Sequence, residues 1–318
     1  MRKVLLGTAA IVFMAAAVFC SGSGPASAGE VKVGFVATNF AAEAQARVAG
    51  RFEALAKEKG WSVQLLNSAG SIDTQASQLE NLLQMKVDAV VLAMAHPLEV
   101  KPALDKLVEA GIPVVTIDSG YADGVVADIT SDNFGVGAKM SSYLADTLGG
   151  KGNIVVIKFE KHQGSRRRGK VLDVVLSEYP GIAVLAEYSV VATKRFMDDT
   201  RSAMETYATR FGDQIDAVWC AFDQLGYVAG DVLAEKLKDK KVVIVAADGN
   251  QETFRRIAAG SMTATVAQPF EDMAQTAVDI VEKLIVEKKS ADEATGGKKI
   301  LYVETPLYDA ANLPPDGK

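Results

Sequence analysis

Ten short apolar runs punctuate the chain from Val31 onward: VKVGFV, WSVQLL, DAVVLAM, IPVVTI, VVADIT, NIVVIK, IAVLAEY, DAVWCA, KVVIVAA and MTATVA. Runs of this length, with little polar alternation, suit parallel strands covered on both faces. Between most of them lie segments with apolar residues at helical spacing, over 41–59, 73–85, 98–110, 134–148, 165–179, 195–207 and 225–237. Gly60, Gly111 and Gly149 stand where three of these helices would end, at the left-handed position glycine favours. Strand alternating with helix predicts an α/β fold with parallel sheets and helices on both faces. Ten strands are many for one such sheet, so two lobes are expected. No Pro/Gly/Ser-rich linker separates them, which predicts direct strand crossings, with DITSDN (128–133) and ATVAQP (264–269) as candidates. A further edge strand is expected over 301–305.

The first segment has another pattern. Arg2 and Lys3 precede an apolar run of 16 residues, Val4 to Phe19, and Ala26-Ser27-Ala28 follow. Those three parts make a secretory signal sequence, with cleavage expected after Ala28. The run is short for a membrane span. Cys20 raises a lipid anchor as the minor alternative, disfavoured by Phe19 where a small residue is wanted. Only Cys220 remains in Gly29–Lys318, so no internal disulfide is available in the oxidising compartment that export reaches. Within DAVWCAF that thiol reads as buried and inert. Export without disulfides points to the periplasm.

The composition narrows the partners. A net charge of −6 offers no basic footprint for nucleic acid. His96 and His162 are the only histidines, with no cysteine or second histidine at ligand spacing, so neither a metal nor a cofactor is expected. No G-x-G-x-x-G follows the first strand.

In open α/β sheets ligands bind beyond the carboxyl ends of the strands. There the chain delivers Asp118-Ser119-Gly120, Phe222-Asp223-Gln224 and Asp248-Gly249-Asn250. Each aspartate would also serve as a helix N-cap. Asp223, directly before the amphipathic run from Leu225, fits a cap best, whereas glycine close behind Asp118 and Asp248 favours ligand contact there. Arg166, Arg167 and Arg168 open a helix, where the dipole disfavours cations. A solvated charge run is the ordinary reading, and the functional one has a guanidinium donating into a cleft. Accepting carboxylates and a donating arginine beside an aromatic face suit a polyhydroxylated ligand. Phe40 and Phe222, with Phe159 or Phe196, are the aromatics at strand ends, and Trp61 and Trp219 are expected in the core.

Six segments in order, IPVVTIDSG (112–120), SDNFGVGAKM (131–140), RRRGKV (166–171), CAFDQLGYVAG (220–230), VAADGNQETF (245–254) and ATVAQ (264–268), carry a family likeness. Over residues 31–305 the chain resembles the type I periplasmic sugar-binding proteins of ABC transporters, the ribose-binding group. The resemblance implies two Rossmann-like, doubly wound parallel-sheet lobes joined by three strand crossings. The implied lobes are 29–132 plus 269–297, and 133–268 plus 298–318, behind a leader of 1–28. A monosaccharide or related polyol would be trapped between them and delivered to the membrane subunits of an ABC permease. A chemoreceptor is a further implied partner, and the protein would act as a monomer without enzymatic activity.

Matched by position, Asp118, Arg168, Asp248 and Gln268 are implied ligand contacts, with Asn133 in the hinge motif. Three positions depart from the ribose binders. Phe40 is followed by Ala41-Ala42 where they carry an aromatic pair, Ser119 replaces a second arginine, and Phe222 replaces an asparagine. All three remain candidate contacts, and the changes argue against ribose. Another pentose, a hexose, a polyol or an autoinducer-type furanose stays open. The rival reading is a secreted carbohydrate-active enzyme using paired carboxylates as acid and base. A sugar-responsive repressor would need a helix-turn-helix domain before residue 31, where the leader stands instead.

Overall fold

A computed structural model describes residues 30–191, 193–238 and 240–315. The expected signal sequence, its cleavage point and Cys20 lie outside the described residues.

From residue 31 the chain lays down β1 (Lys32–Ala37), α1 (Glu43–Glu58), β2 (Ser62–Asn67), α2 (Ile72–Met85), β3 (Ala89–Ala93), α3 (Lys101–Glu109), β4 (Val114–Ile117) and β5 (Asp128–Ser131). It crosses at Asp132 into α4 (Asn133–Thr147), β6 (Lys151–Lys158), α5 (Gln163–Ser177), β7 (Gly181–Ser189), α6 (Phe196–Phe211), β8 (Ala217–Cys220), α7 (Asp223–Lys236), β9 (Val243–Asp248), α8 (Gln251–Ala258) and β10 (Ala264–Ala267). It returns through Gln268-Pro269 to α9 (Phe270–Ile285), α10 (Ala291–Thr295) and β11 (Ile300–Val303), then crosses again to β12 (Leu307–Asp309).

Each lobe is built on a six-stranded sheet. The orders are β2-β1-β3-β4-β5-β11 and β7-β6-β8-β9-β10-β12, parallel throughout except where β12 runs antiparallel to β10. All ten apolar runs of the sequence are strands. The central strands are buried on both faces, as in AVVLA of β3, while edge strand β2 is only partly covered. Helix α1 forms because Val48, Phe52 and Leu55 recur at helical spacing and bury one stripe against β1 and α9. Phe52 meets Phe35 with ring centroids 5.2 Å apart. Burying a side chain of that size contributes about 1.5–3 kcal/mol. Gly60, Gly111 and Gly149 follow their helices with φ of 73°, 76° and 62°.

The tail differs from expectation. The resemblance implies that residues 298–318 belong to the second lobe, and β12 does, but β11 pairs with β5 of the first, Ile300 against Asp128 through Val303 against Ser131. The alternating pattern of ILYV suits that half-covered edge, and the third crossing falls at 304–306. Helix α4 packs beneath β8, β9 and β10, so the stretch from Asn133 to Ala267 belongs with the second sheet.

Candidate functional site

The carboxyl ends of both sheets face one cavity of about 370 Å³. β4 and β9 deliver Asp118 and Asp248 to it, both buried. Their backbones hold φ of 46° and 140°, costly for a residue with a Cβ. Neither side chain caps a helix. Asp118 Oδ1 accepts from Thr130 Oγ1 at 2.7 Å and from Asn133 Nδ2 at 3.1 Å. Asp248 Oδ1 accepts from Gln268 Nε2 at 2.8 Å and lies 3.8 Å from Arg168 Nη1. The second oxygen of each carboxylate has no hydrogen-bond partner among the described residues.

Arg168 is among the largest fully buried side chains. Of the three arginines that open α5 it is the fully buried one, with Nε donating to Asn133 Oδ1 at 2.8 Å and Nη1 to the Ala221 carbonyl at 2.8 Å, while Arg166 also lines the cavity. A buried guanidinium is tolerable only with such partners. Gln268, at the second crossing, donates to Asp248 while its Oε1 lacks a partner among the described residues. Burial, with the charge of Asp223 adding to it, pushes the Asp248 carboxyl up to about 8 despite Arg168.

Asp118, Arg168, Phe222, Asp248 and Gln268 all line the cavity, and Phe40, Ser119 and Asn133 do not. A turn closed by Ala42 N donating to the Asn39 carbonyl lays Phe40 against the first lobe's core. Ser119 Oγ donates to the Leu92 and Ile117 carbonyls and accepts from Ala95 N, so it ties strand ends together. Asn133 stands behind the cavity as the link between Asp118 and Arg168.

Asp223 is not a cap either. Phe222 occupies the N-cap of α7, and the Asp223 carboxylate is fully buried. It accepts from Asn250 N at 2.9 Å, Thr253 Oγ1 at 2.5 Å and Thr265 Oγ1 at 2.7 Å. Its work is to hold the turn that follows β9. Asp128 does the same for the loop after β4, accepting from Ser119 N and Gly120 N, and burial pushes it up to about 6.

The aromatic wall is larger than expected on one side. Phe159 and Phe222 line the cavity with centroids 5.8 Å apart in an edge-to-face pair, and Phe196 backs Phe222 at 5.5 Å. Phe270, Met94 and Ile72 supply apolar surface from the first lobe, where the sequence reading had only Phe40. Both histidines also reach the cavity. His162 Nε2 lies 2.8 Å from the Asp118 carbonyl, which can only accept, so Nε2 carries the proton and Nδ1 accepts from Ser165 N at 3.4 Å. His162 therefore caps α5 and spans the two lobes at once, and burial lowers its pKa. Its position three residues before the helical run over 165–179 was the signal that could have marked it as a cap.

Among the described residues no group of three or more His, Cys, Asp or Glu is placed to hold a metal ion. Cys220 is buried in β8 and burial pushes its thiol up, which leaves it unreactive.

The family model of the periplasmic binding protein domain matches residues 33–289. The chain belongs to that family. It is a binding protein, not an enzyme. The chain is 32% identical to the xylitol-binding protein of Mycolicibacterium smegmatis over 205 residues, 64% of this chain and 58% of that protein's length. It is 27% identical to the ribose import binding protein of Bacillus subtilis over 252 residues, 77% and 75% of the two chains. Among solved structures, an ABC sugar transporter subunit from Rhodobacter sphaeroides superposes with a TM-score of 0.77 at 22% identity, covering 89% of this chain and 99% of that one. That likeness carries the two-lobed α/β fold.

Proposed function

We propose that the protein captures a monosaccharide or related polyol between its lobes and hands it to the membrane subunits of an ABC permease in the periplasm. The observation that carries this reading is the set of unspent hydrogen-bonding groups around one cavity. Asp118 comes from the first lobe and Arg168, Asp248 and Gln268 from the second half of the chain, beside the Phe159–Phe222 wall. Each sugar hydroxyl donates and accepts, so free carboxylate oxygens, an amide oxygen and a guanidinium together match several hydroxyls on a small ring or chain. The aromatic faces cover its C–H side. Relatives named for binding xylitol and ribose support the same ligand class. In this reading the leader is removed after Ala28, Cys20 goes with it, and the protein acts as a monomer. A chemoreceptor is a second partner for its closed form.

A thermal-shift panel of pentoses, hexoses, pentitols and hexitols tests this. A ligand at a hundred times its Kd stabilises the native state by about 2.7 kcal/mol. One or more carbohydrates should raise the melting temperature. A shift with amino acids or nucleosides and with no carbohydrate would overturn the assignment.

A further inference from the structure

Arg47 lies outside every ligand motif considered so far, yet it reaches from one lobe to the binding site of the other. It stands in the second turn of α1. On its own side the guanidinium is fixed as a fork: Nε donates to Glu271 Oε1 at 2.8 Å and Nη2 to Glu271 Oε2 at 2.7 Å. The Phe270 ring lies 5.1 Å from the guanidinium carbon. Both partners belong to α9, which packs on α1, so the fork is rigid within the first lobe. The remaining nitrogen, Nη1, points across to the second lobe. It reaches the carbonyls of Asp248 at 3.4 Å and Gly249 at 3.2 Å, and Asn250 Oδ1 at 2.9 Å.

Those three acceptors form the turn that aims the Asp248 carboxyl. Its backbone has φ of 140° at Asp248 and 67° at Gly249. From its own lobe the turn is held by Asp223 and Thr265, the latter accepting from Gly249 N at 3.2 Å. Arg47 is the tie that comes from the opposite lobe. Beside it Gln224 Oε1 accepts from Glu43 N at 2.9 Å and the Tyr227 hydroxyl approaches Glu43 at 3.4 Å. The N-terminal half of α1 thus lies along the second lobe.

We infer that Arg47 is a positioning residue. With α1 docked along the second lobe, as the structure has it, Nη1 grips the strained 248–250 turn and fixes the direction in which Asp248 presents its carboxyl group. Full grip on the ligand therefore depends on α1 having docked. The inference rests on the reading that Asp248 contacts the ligand. It adds that the contact is set from the other lobe, through a side chain that lines no part of the cavity.

The test uses Arg47→Met, Arg47→Lys and Asp248→Asn in the full exported chain. First, amide hydrogen exchange over 248–254 is read without sugar, where Arg47→Met should exchange faster than wild type. Unchanged exchange overturns the inference. Second, binding is measured with the carbohydrate that the thermal-shift panel selects, xylitol being tried first. Arg47→Met should weaken binding at least tenfold through faster dissociation, and Arg47→Lys, which lacks the fork, should not restore it. In Arg47→Met combined with Asp248→Asn the loss should be no larger than in Asp248→Asn alone. Fully additive losses, or a Kd within twofold of wild type in Arg47→Met, would overturn it. If no carbohydrate binds wild type, the ligand assignment fails on its own, and the exchange result alone decides whether Arg47 holds the turn.

Discussion

Replacing Asp248 with asparagine should stabilise the empty protein while weakening its grip on ligand. The carboxyl is buried and its pKa is pushed from 3.8 up to about 8. A native pKa above the unfolded one means that the folded state holds the proton more tightly. The stabilisation this gives is fully present below pH 3.8 and is lost as pH rises through 8. At about 1.4 kcal/mol per unit, the roughly three units between the unfolded pKa and pH 7 set a ceiling of about 4 kcal/mol. Arg168 at 3.8 Å and water entering the cavity reduce that figure. A realised change of about 1–2 kcal/mol corresponds to roughly 2–6 °C in Tm for a chain of this size. Asparagine keeps the shape and has no charge to desolvate. Its Tm at pH 7.5 should exceed wild type, and its Tm should fall less steeply between pH 5 and pH 8. Asp223 and Asp128 are also pushed up, so some slope survives. In the same variant, losing the carboxyl's hydrogen bonding to a sugar hydroxyl costs about 0.5–1.5 kcal/mol, roughly 2- to 12-fold in Kd, since the carboxyl is mostly protonated at pH 7. Differential scanning fluorimetry across pH and isothermal titration calorimetry read both effects. Identical pH slopes in the two proteins, or a less stable variant at pH 7.5, would refute the argument from burial.

Three further outcomes are expected. Arg168→Met should abolish measurable sugar binding and lower stability by about 3–5 kcal/mol, because Asn133, the Ala221 carbonyl and Asp248 lose a buried partner; titration calorimetry and denaturant melts check the two parts. Asp223→Ala should cost about 1–3 kcal/mol for each donor it orphans, seen as a large Tm drop that ligand only partly restores. His162 has a native pKa below its unfolded one, so the stability it contributes is present above pH 6.5 and lost as pH falls. Tm should therefore decline from pH 7 to pH 5 more in wild type than in His162→Gln.

The strands and most helices were legible because buried parallel strands need unbroken apolar runs and surface helices need one apolar stripe. Asp118 and Asp248 stood out because strand ends are where such sheets collect side chains, whereas Arg168, inside α5, and Gln268 came only from the family resemblance; all four line the cavity. Asp223 shows the limit. Like Asp248 it stands at the end of an apolar run, but three donors from neighbouring segments, Asn250 N, Thr253 Oγ1 and Thr265 Oγ1, close around it. Only tertiary placement tells a buried anchor from a ligand contact. Phe40 fails for a related reason, since a local turn, invisible to periodicity, decides which way its ring falls. Arg47 and His162 act across the gap between lobes, and no local pattern encodes that distance. The tail misled because an edge strand can add to either sheet, and ILYV carries no mark of which.

Helix α4 begins at Asn133, directly after the first crossing, and Asn133 bridges Asp118 and Arg168. Two turns on, Lys139 donates from the same helix to the Thr305 carbonyl at 2.6 Å, in the third crossing. The hinge and the cavity wall are thus bolted to one rod. Engineering a looser swing by altering these connections would at the same time detune selectivity, and a redesigned pocket would inherit a new stiffness. Sensor builders working from this scaffold should expect to adjust travel and taste together.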